Sequence, residues 1–162
     1  MNGPLKLETK MIRSLLLPAL VLVAAGCADN RRATVEFMDS TAVLPGGFPF
    51  SEAVRVNDTL YLSGMVAVKP GTLEIVPGGI EAESRRTMEN IRLMLETNGA
   101  SMSDVIKCTV MLADISEWGQ FNEIYKTYFD DGRYPARSAL GANGLALGAR
   151  VEVDCIAVVG NR

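Results

Sequence analysis

The stretch Tyr134-Pro135-Ala136-Arg137-Ser138-Ala139-Leu140 and the run Val151-Glu152-Val153-Asp154-Cys155-Ile156-Ala157-Val158-Val159 that follows it decide the fold. Side chains alternate across a strand, so the odd positions of the second run, Val151, Val153, Cys155, Ala157 and Val159, make one apolar face. Its even positions begin polar, with Glu152 and Asp154, and end apolar, with Ile156 and Val158. Such a strand has one buried side and one side that borders a cleft or a partner. Glu152 stands at the polar end of that second face. Arg137 lies on the preceding extended segment, one short loop away across residues 141–148. An arginine can grip a carboxylate through two parallel N–H bonds. A glutamate can hold a water and move a proton. A structural Arg–Glu ion pair fits the same pattern and is the commoner outcome for such pairs.

The chain has 162 residues, enough for one domain with a proper core. Hydrophobic residues make up 48% and charged residues 22%, which is ordinary for a globular protein. A net charge of −3 and a pI near 5.0 argue against nucleic acid as the main partner, because phosphate binding needs a basic surface. The sequence contains no histidine, which removes Ser-His-Asp and Cys-His catalysis and His-ligated zinc. The three cysteines, Cys27, Cys108 and Cys155, form no CxxC pair and suggest neither a zinc nor a redox motif. Cys108 and Cys155 read as small core residues, with a mutual disulfide in an oxidising compartment as the rarer alternative.

The first 27 residues read as an export signal. Arg13 supplies a basic start, Leu15-Leu16-Leu17-Pro18-Ala19-Leu20-Val21-Leu22-Val23 an apolar stretch, and Ala24-Ala25-Gly26 small residues before Cys27. The apolar stretch is short for a membrane span. Val23-Ala24-Ala25-Gly26-Cys27 resembles a bacterial lipoprotein box, although Ala24 stands where leucine is usual. That resemblance implies lipidation of Cys27, and a plain secretory signal is the alternative. The residues ahead of Met11 read as an over-extended start. Residues 28–33 look like a tether, and the folded domain spans 34–162. No acidic residue follows Cys27 directly, which by analogy favours the outer membrane over the inner one. The expectation is a periplasmic, lipid-anchored protein.

Within the domain, Val35-Glu36-Phe37-Met38 reads as a weak strand. Ala53-Val54-Arg55-Val56 and Thr59-Leu60-Tyr61-Leu62-Ser63-Gly64 read as a hairpin across an Asn57-Asp58 turn, and Val66-Ala67-Val68 as its continuation. Met88, Ile91, Met94 and Leu95 have helical spacing in a helix over about 79–98 that Asn98-Gly99 stops. Residues 104–114 read as a strand with Ile106, Cys108, Val110 and Leu112 on one face and Lys107, Thr109 and Met111 on the other. Ser116 is a fitting N-cap for a second helix to about Phe129, with Trp118, Phe121, Tyr125 and Tyr128 as its buried stripe. The order β-β-(β)-α-β-α-β-β predicts an α+β fold, a mixed sheet with two helices on one face. Met111, Ile156 and Val158 leave the other face apolar, so a subunit interface is expected there.

Several motifs, in order and at regular intervals, carry a resemblance. They are Pro49-Phe50-Ser51-Glu52-Ala53, Leu62-Ser63-Gly64, Gly79-Ile80-Glu81-Ala82, Glu89-Asn90-Ile91, Lys107-Cys108-Thr109-Val110, Phe121-Asn122-Glu123-Ile124-Tyr125, Tyr128-Phe129, Pro135-Ala136-Arg137-Ser138 and Val151-Glu152-Val153. Over residues 48–159 the chain resembles the RidA, or YjgF, family of imine deaminases. The resemblance implies a chorismate-mutase-like fold and a homotrimer with clefts between subunits. It implies hydrolysis of enamines and imines of the 2-aminoacrylate type to 2-keto acids and ammonia, without metal or organic cofactor. It implies that Arg137 binds the substrate carboxylate and Glu152 positions the attacking water. Phe50, Ser63, Gly64, Asn122 and Ser138 are implied to line the pocket. A protonated imine is already a good electrophile, so orientation, a charge clamp and a proton acceptor suffice.

Three departures stand out. Phe50 occupies a position often held by tyrosine, Met65 one where glutamine is common, and the loop Gly144-Leu145-Ala146-Leu147-Gly148 has alanine where many members have Leu-Pro. They point towards a more apolar substrate side chain. A non-catalytic trimeric binding protein for small carboxylates or keto acids is the alternative function. A ribonuclease, attached to some members, is the least supported.

Overall fold

The long alternating run forms the centre of the sheet. In a computed structural model that describes residues 32–160, it is β7 (Val151–Val158), with Val151, Val153, Cys155 and Ala157 buried and the residues between them half-buried. The preceding strands are β1 (Val35–Met38), β2 (Ala53–Val56), β3 (Thr59–Leu62), β4 (Met65–Val66), β5 (Val105–Leu112) and β6 (Ala136–Gly141). The sheet order is β1-β2-β3-β7-β5-β6, and β4 extends β3 along the same edge of β7. All pairings are antiparallel except β5 with β6. The signal-peptide reading and the lipidation of Cys27 fall outside the described residues.

Helix α1 (Gly79–Thr97) and helix α2 (Trp118–Tyr125) cover one face. Ile80, Met88, Ile91, Met94 and Leu95 of α1 are buried against the strands. Each such side chain contributes about 1.5–3 kcal/mol by leaving water. Gly99, at φ 73, follows the Asn98 cap and lets the chain turn off the helix. Asn90, buried on α1, donates from Nδ2 to the carbonyls of Val66 (3.1 Å) and Val68 (2.9 Å). Glu83 accepts from the Arg150 amide at 2.8 Å, fixing where β7 starts. The helix thus fixes both β7, which carries Glu152, and β4 beside it. No helix among the described residues is long and apolar enough to cross a membrane.

Four local expectations are corrected. Ile106 is 51% exposed because a bulge between Val105 and Lys107 removes it from the core face, which Val105 enters instead. Ser116 does not cap the second helix: Asp114 caps the 3₁₀ turn Ile115–Glu117 that leads into α2, its carboxylate accepting from the Ser116 amide, and another 3₁₀ turn follows α2. Trp118, at the head of α2, is 42% exposed, and only Phe121 and Tyr125 of the expected stripe are fully buried. Cys108 and Cys155 are core residues, as expected, and also a disulfide: they face each other across β5 and β7. Spacing 47 residues apart in sequence gave no sign of that register.

The face opposite the helices is uncovered in one chain. Register places Val54, Tyr61, Ile156 and Lys107 in one row across it, and Glu152, Met111 and Leu140 in another. Tyr61 and Leu140 are each 46% exposed there.

Candidate active site

Glu152 projects from the uncovered face of β7. It pairs with Val66 on one side and Met111 on the other. Its carboxylate accepts no hydrogen bond from another described residue and stands in a cavity of about 380 Å³. Phe50, Ser63, Gly64, Met65 and Leu147 are among the lining residues, and Glu152 is its one charged group. Burial, assisted by the negative charge of Asp154, raises the Glu152 carboxyl above the usual glutamate range. Ser63 and Gly64 interrupt the ladder between β3 and β4. The Ser63 amide donates to the Glu52 carbonyl at 3.0 Å and its hydroxyl to the Ser51 carbonyl at 2.7 Å, which anchors the segment carrying Phe50. Gly64 has a reason to lack a side chain: a Cβ there would lie 2.1 Å from Glu152 Oε1.

Arg137 occupies the other face of the sheet. It pairs with the buried Cys108, so its side chain leaves β6 on the helix side. There its Nη2 donates to Asn122 Oδ1 at 2.8 Å. Its guanidinium carbon lies 4.5 Å from the centre of the Tyr125 ring and 5.6 Å from that of Trp118. Burial pushes the Tyr125 hydroxyl up to about 12, against the opposing pull of Arg137, so the ring stays neutral beneath the cation. Arg137, Asn122, Tyr125, Lys126, Tyr134 and Pro135 line a second cavity of about 370 Å³. No carboxylate among the described residues pairs with Arg137, so one chain holds no Arg137–Glu152 ion pair.

Residues 42–159 match the family described as Endoribonuclease L-PSP. This chain belongs to that family. Mouse 2-iminobutanoate/2-iminopropanoate deaminase is 43% identical over 122 residues, which is 75% of this chain and 90% of the mouse protein. The crystal structure of RidA from an Antarctic Psychrobacter superimposes with a TM-score of 0.71 at 31% identity, covering 76% of this chain and 99% of that one. E. coli TdcF with bound serine gives 0.70 at 28%, covering 77% and 99%.

In this L-PSP-family chain the seven site residues expected from sequence fall into three places. Phe50, Ser63 and Gly64 gather around Glu152. Asn122 joins Arg137. Ser138 alternates to the face opposite Arg137, pairs with Thr109 and lines neither cavity. The sequence reading missed Tyr125 and Trp118 as supports of Arg137, taking both for core. Their position on α2, about two turns apart, was legible, but not that β6 would bring an arginine over them. It also missed Phe48, Leu73 and Leu147, whose loops carry no periodicity. Among the described residues no group of three or more potential metal ligands forms.

Proposed function

We propose that this protein is an exported deaminase that hydrolyses enamines and imines of 2-keto acids. The observation that carries this reading is a half-buried carboxylate, Glu152, with no hydrogen-bond partner among the described residues, in the same chain as a guanidinium held ready by Asn122 and Tyr125. The mouse relative's name supports the substrate class. Serine in TdcF is a small carboxylate ligand of a related protein.

The two half-sites open on opposite faces, so they meet only when Glu152 of one protomer faces Arg137 of a neighbour. The uncovered apolar sheet face, with Tyr61 and Leu140 half-exposed, supports the homotrimer that this requires. Across that seam Arg137 clamps the substrate carboxylate through parallel N–H bonds. Glu152 orients a water towards the imine carbon and takes one of its protons. The water oxygen bonds to carbon, the C–N bond breaks, and the nitrogen leaves as ammonia carrying the protons, so a 2-keto acid remains. An enamine must first be protonated on carbon to give the imine, and the same carboxyl can deliver that proton when protonated.

Export rests on the lipoprotein-like box ending at Cys27. The Cys108–Cys155 disulfide supports it, because such bonds persist in oxidising compartments. The family's endoribonuclease description is not carried over: the chain is acidic, lacks histidine, and lines the Glu152 cavity with apolar groups.

The deciding experiment supplies imino acids with an amino-acid oxidase and follows keto-acid release. Wild type is expected to exceed the spontaneous rate, and Glu152→Ala to match it. A wild type no faster than buffer, yet binding keto acids through Arg137, would favour the binding-protein reading. Incorporation of labelled palmitate, lost in Cys27→Ala, tests the anchor, and membrane fractionation distinguishes outer from inner membrane.

A further inference from the structure

The Glu152 cavity has a wall that a small substrate would not use. Phe48 and Phe50 stack with ring centres 5.2 Å apart and form one side. Val66 of β4, 7% exposed, pairs with Glu152 and lines the cavity beside it. Leu73 and Leu147 close the remaining sides, although 45% and 52% exposed. Leu147 adopts φ 59, a left-handed backbone that a branched residue rarely takes, between Gly144 at φ 90 and Gly148 at φ 71. A strained residue held against a cavity is a mark of a shaped site. The volume, about 380 Å³, lies within the range of small-molecule pockets. A methyl or hydroxymethyl substituent on the imine carbon would leave most of this wall facing water.

We infer that Phe48, Phe50, Val66, Leu73 and Leu147 form a side-chain subsite for imines of bulky apolar amino acids, whether branched, thioether or aromatic, in preference to those of alanine and serine. The inference rests on the deaminase reading above. With the reacting carbon beside Glu152, the substituent runs along the Phe50 ring towards Leu147. Its burial removes apolar surface from both partners, and that gain is unavailable to a methyl group. The same apolar surroundings also keep Glu152 poorly solvated, so a substrate that expels water there strengthens the shift already present.

The test compares kcat/KM for imines that an amino-acid oxidase generates from leucine, methionine, phenylalanine and alanine. The three large substrates are expected to exceed alanine by about tenfold or more, the scale at which an apolar pocket discriminates. Leu147→Asn suits the left-handed backbone while making the wall polar. It should draw that ratio towards unity, and Phe50→Tyr, which adds one hydroxyl without removing bulk, should lower it in a second, independent way. A wild-type ratio at or below one, or a ratio unchanged in both folded variants, overturns the subsite and leaves the deaminase standing. If no imine is hydrolysed above the spontaneous rate, the deaminase reading fails instead, and calorimetry still decides the subsite. Tighter binding of leucine's keto acid than of pyruvate, lost in Leu147→Asn, upholds it; equal or weaker binding refutes it.

Discussion

Arg137 and Glu152 leave the sheet on opposite faces, Arg137 opposite Cys108 on the helix side and Glu152 opposite Met111 on the uncovered side. No rotamer brings them together within one chain. A shared site therefore needs a neighbour, and subunit mixing exposes that need. Arg137→Ala and Glu152→Ala are each expected to lose about 10²-fold or more in kcat/KM. Co-refolded in equal amounts, they should regain activity, since random assortment rebuilds roughly a quarter of the sites with both groups intact. Mixtures as inactive as their parents would show that the two residues do not serve one site.

The acid side of the pH profile belongs to Glu152. Burial and the Asp154 charge raise its pKa, and a base works only when ionised, so kcat should fall as pH drops through a value above that of ordinary glutamate. Asp154→Asn removes the second cause and should move this limb to lower pH. The linkage to stability has the opposite sense. The folded state holds the proton more tightly than the unfolded one, so stability falls as pH rises from the ordinary glutamate value through the raised one. Glu152→Gln should therefore be at least as stable as wild type near neutrality while losing activity. A limb unmoved in Asp154→Asn would remove Glu152 as its source.

Gly64→Ala separates fold from function. The added carbon would sit 2.1 Å from Glu152 Oε1, and that oxygen is the free end of a flexible side chain. The carboxylate can swing away cheaply, so stability should change by only about 0.5 kcal/mol. A carboxylate displaced by about an ångström costs on the order of 10²-fold in rate. Urea titration and kinetics on one preparation check both halves. Equal activity in Gly64→Ala would mean that the Glu152 position is not critical.

The Cys108–Cys155 bond ties β5 to β7 across a separation of 47 residues. Closing a loop of that length is worth roughly 4 kcal/mol through the unfolded chain, and observed values range about 2–4 kcal/mol. The double variant Cys108→Ala, Cys155→Ala should lose stability on that scale. The intact mass of the unreduced protein should be lighter by two hydrogens than the reduced form. Alkylation of both Cys108 and Cys155 in the denatured, unreduced protein would show that the bond does not form.

The alternation from Val151 to Val158 was legible because a strand buried on one face repeats its apolar residues every second position. Helix α1 was legible because Met88, Ile91, Met94 and Leu95 keep helical spacing and Asn98-Gly99 ends it. Ile106 was misplaced because a bulge inserts a residue without altering composition. Asp114 was missed as the cap because a 3₁₀ turn begins before the α-helix does. The disulfide was ranked below free thiols because a pairing register across antiparallel strands is a property of the whole sheet.

The sequence by itself determined the elements, their order and the residues with useful chemistry, since each of these follows from spacing along the chain. Only the tertiary structure decided which of those residues share a cavity. Whether a side chain faces the helices or the open side depends on where each strand enters the sheet, and one residue of register reverses it. That is why Arg137 and Ser138, neighbours in sequence, part company, while Phe50, Gly64 and Glu152, far apart in the chain, meet.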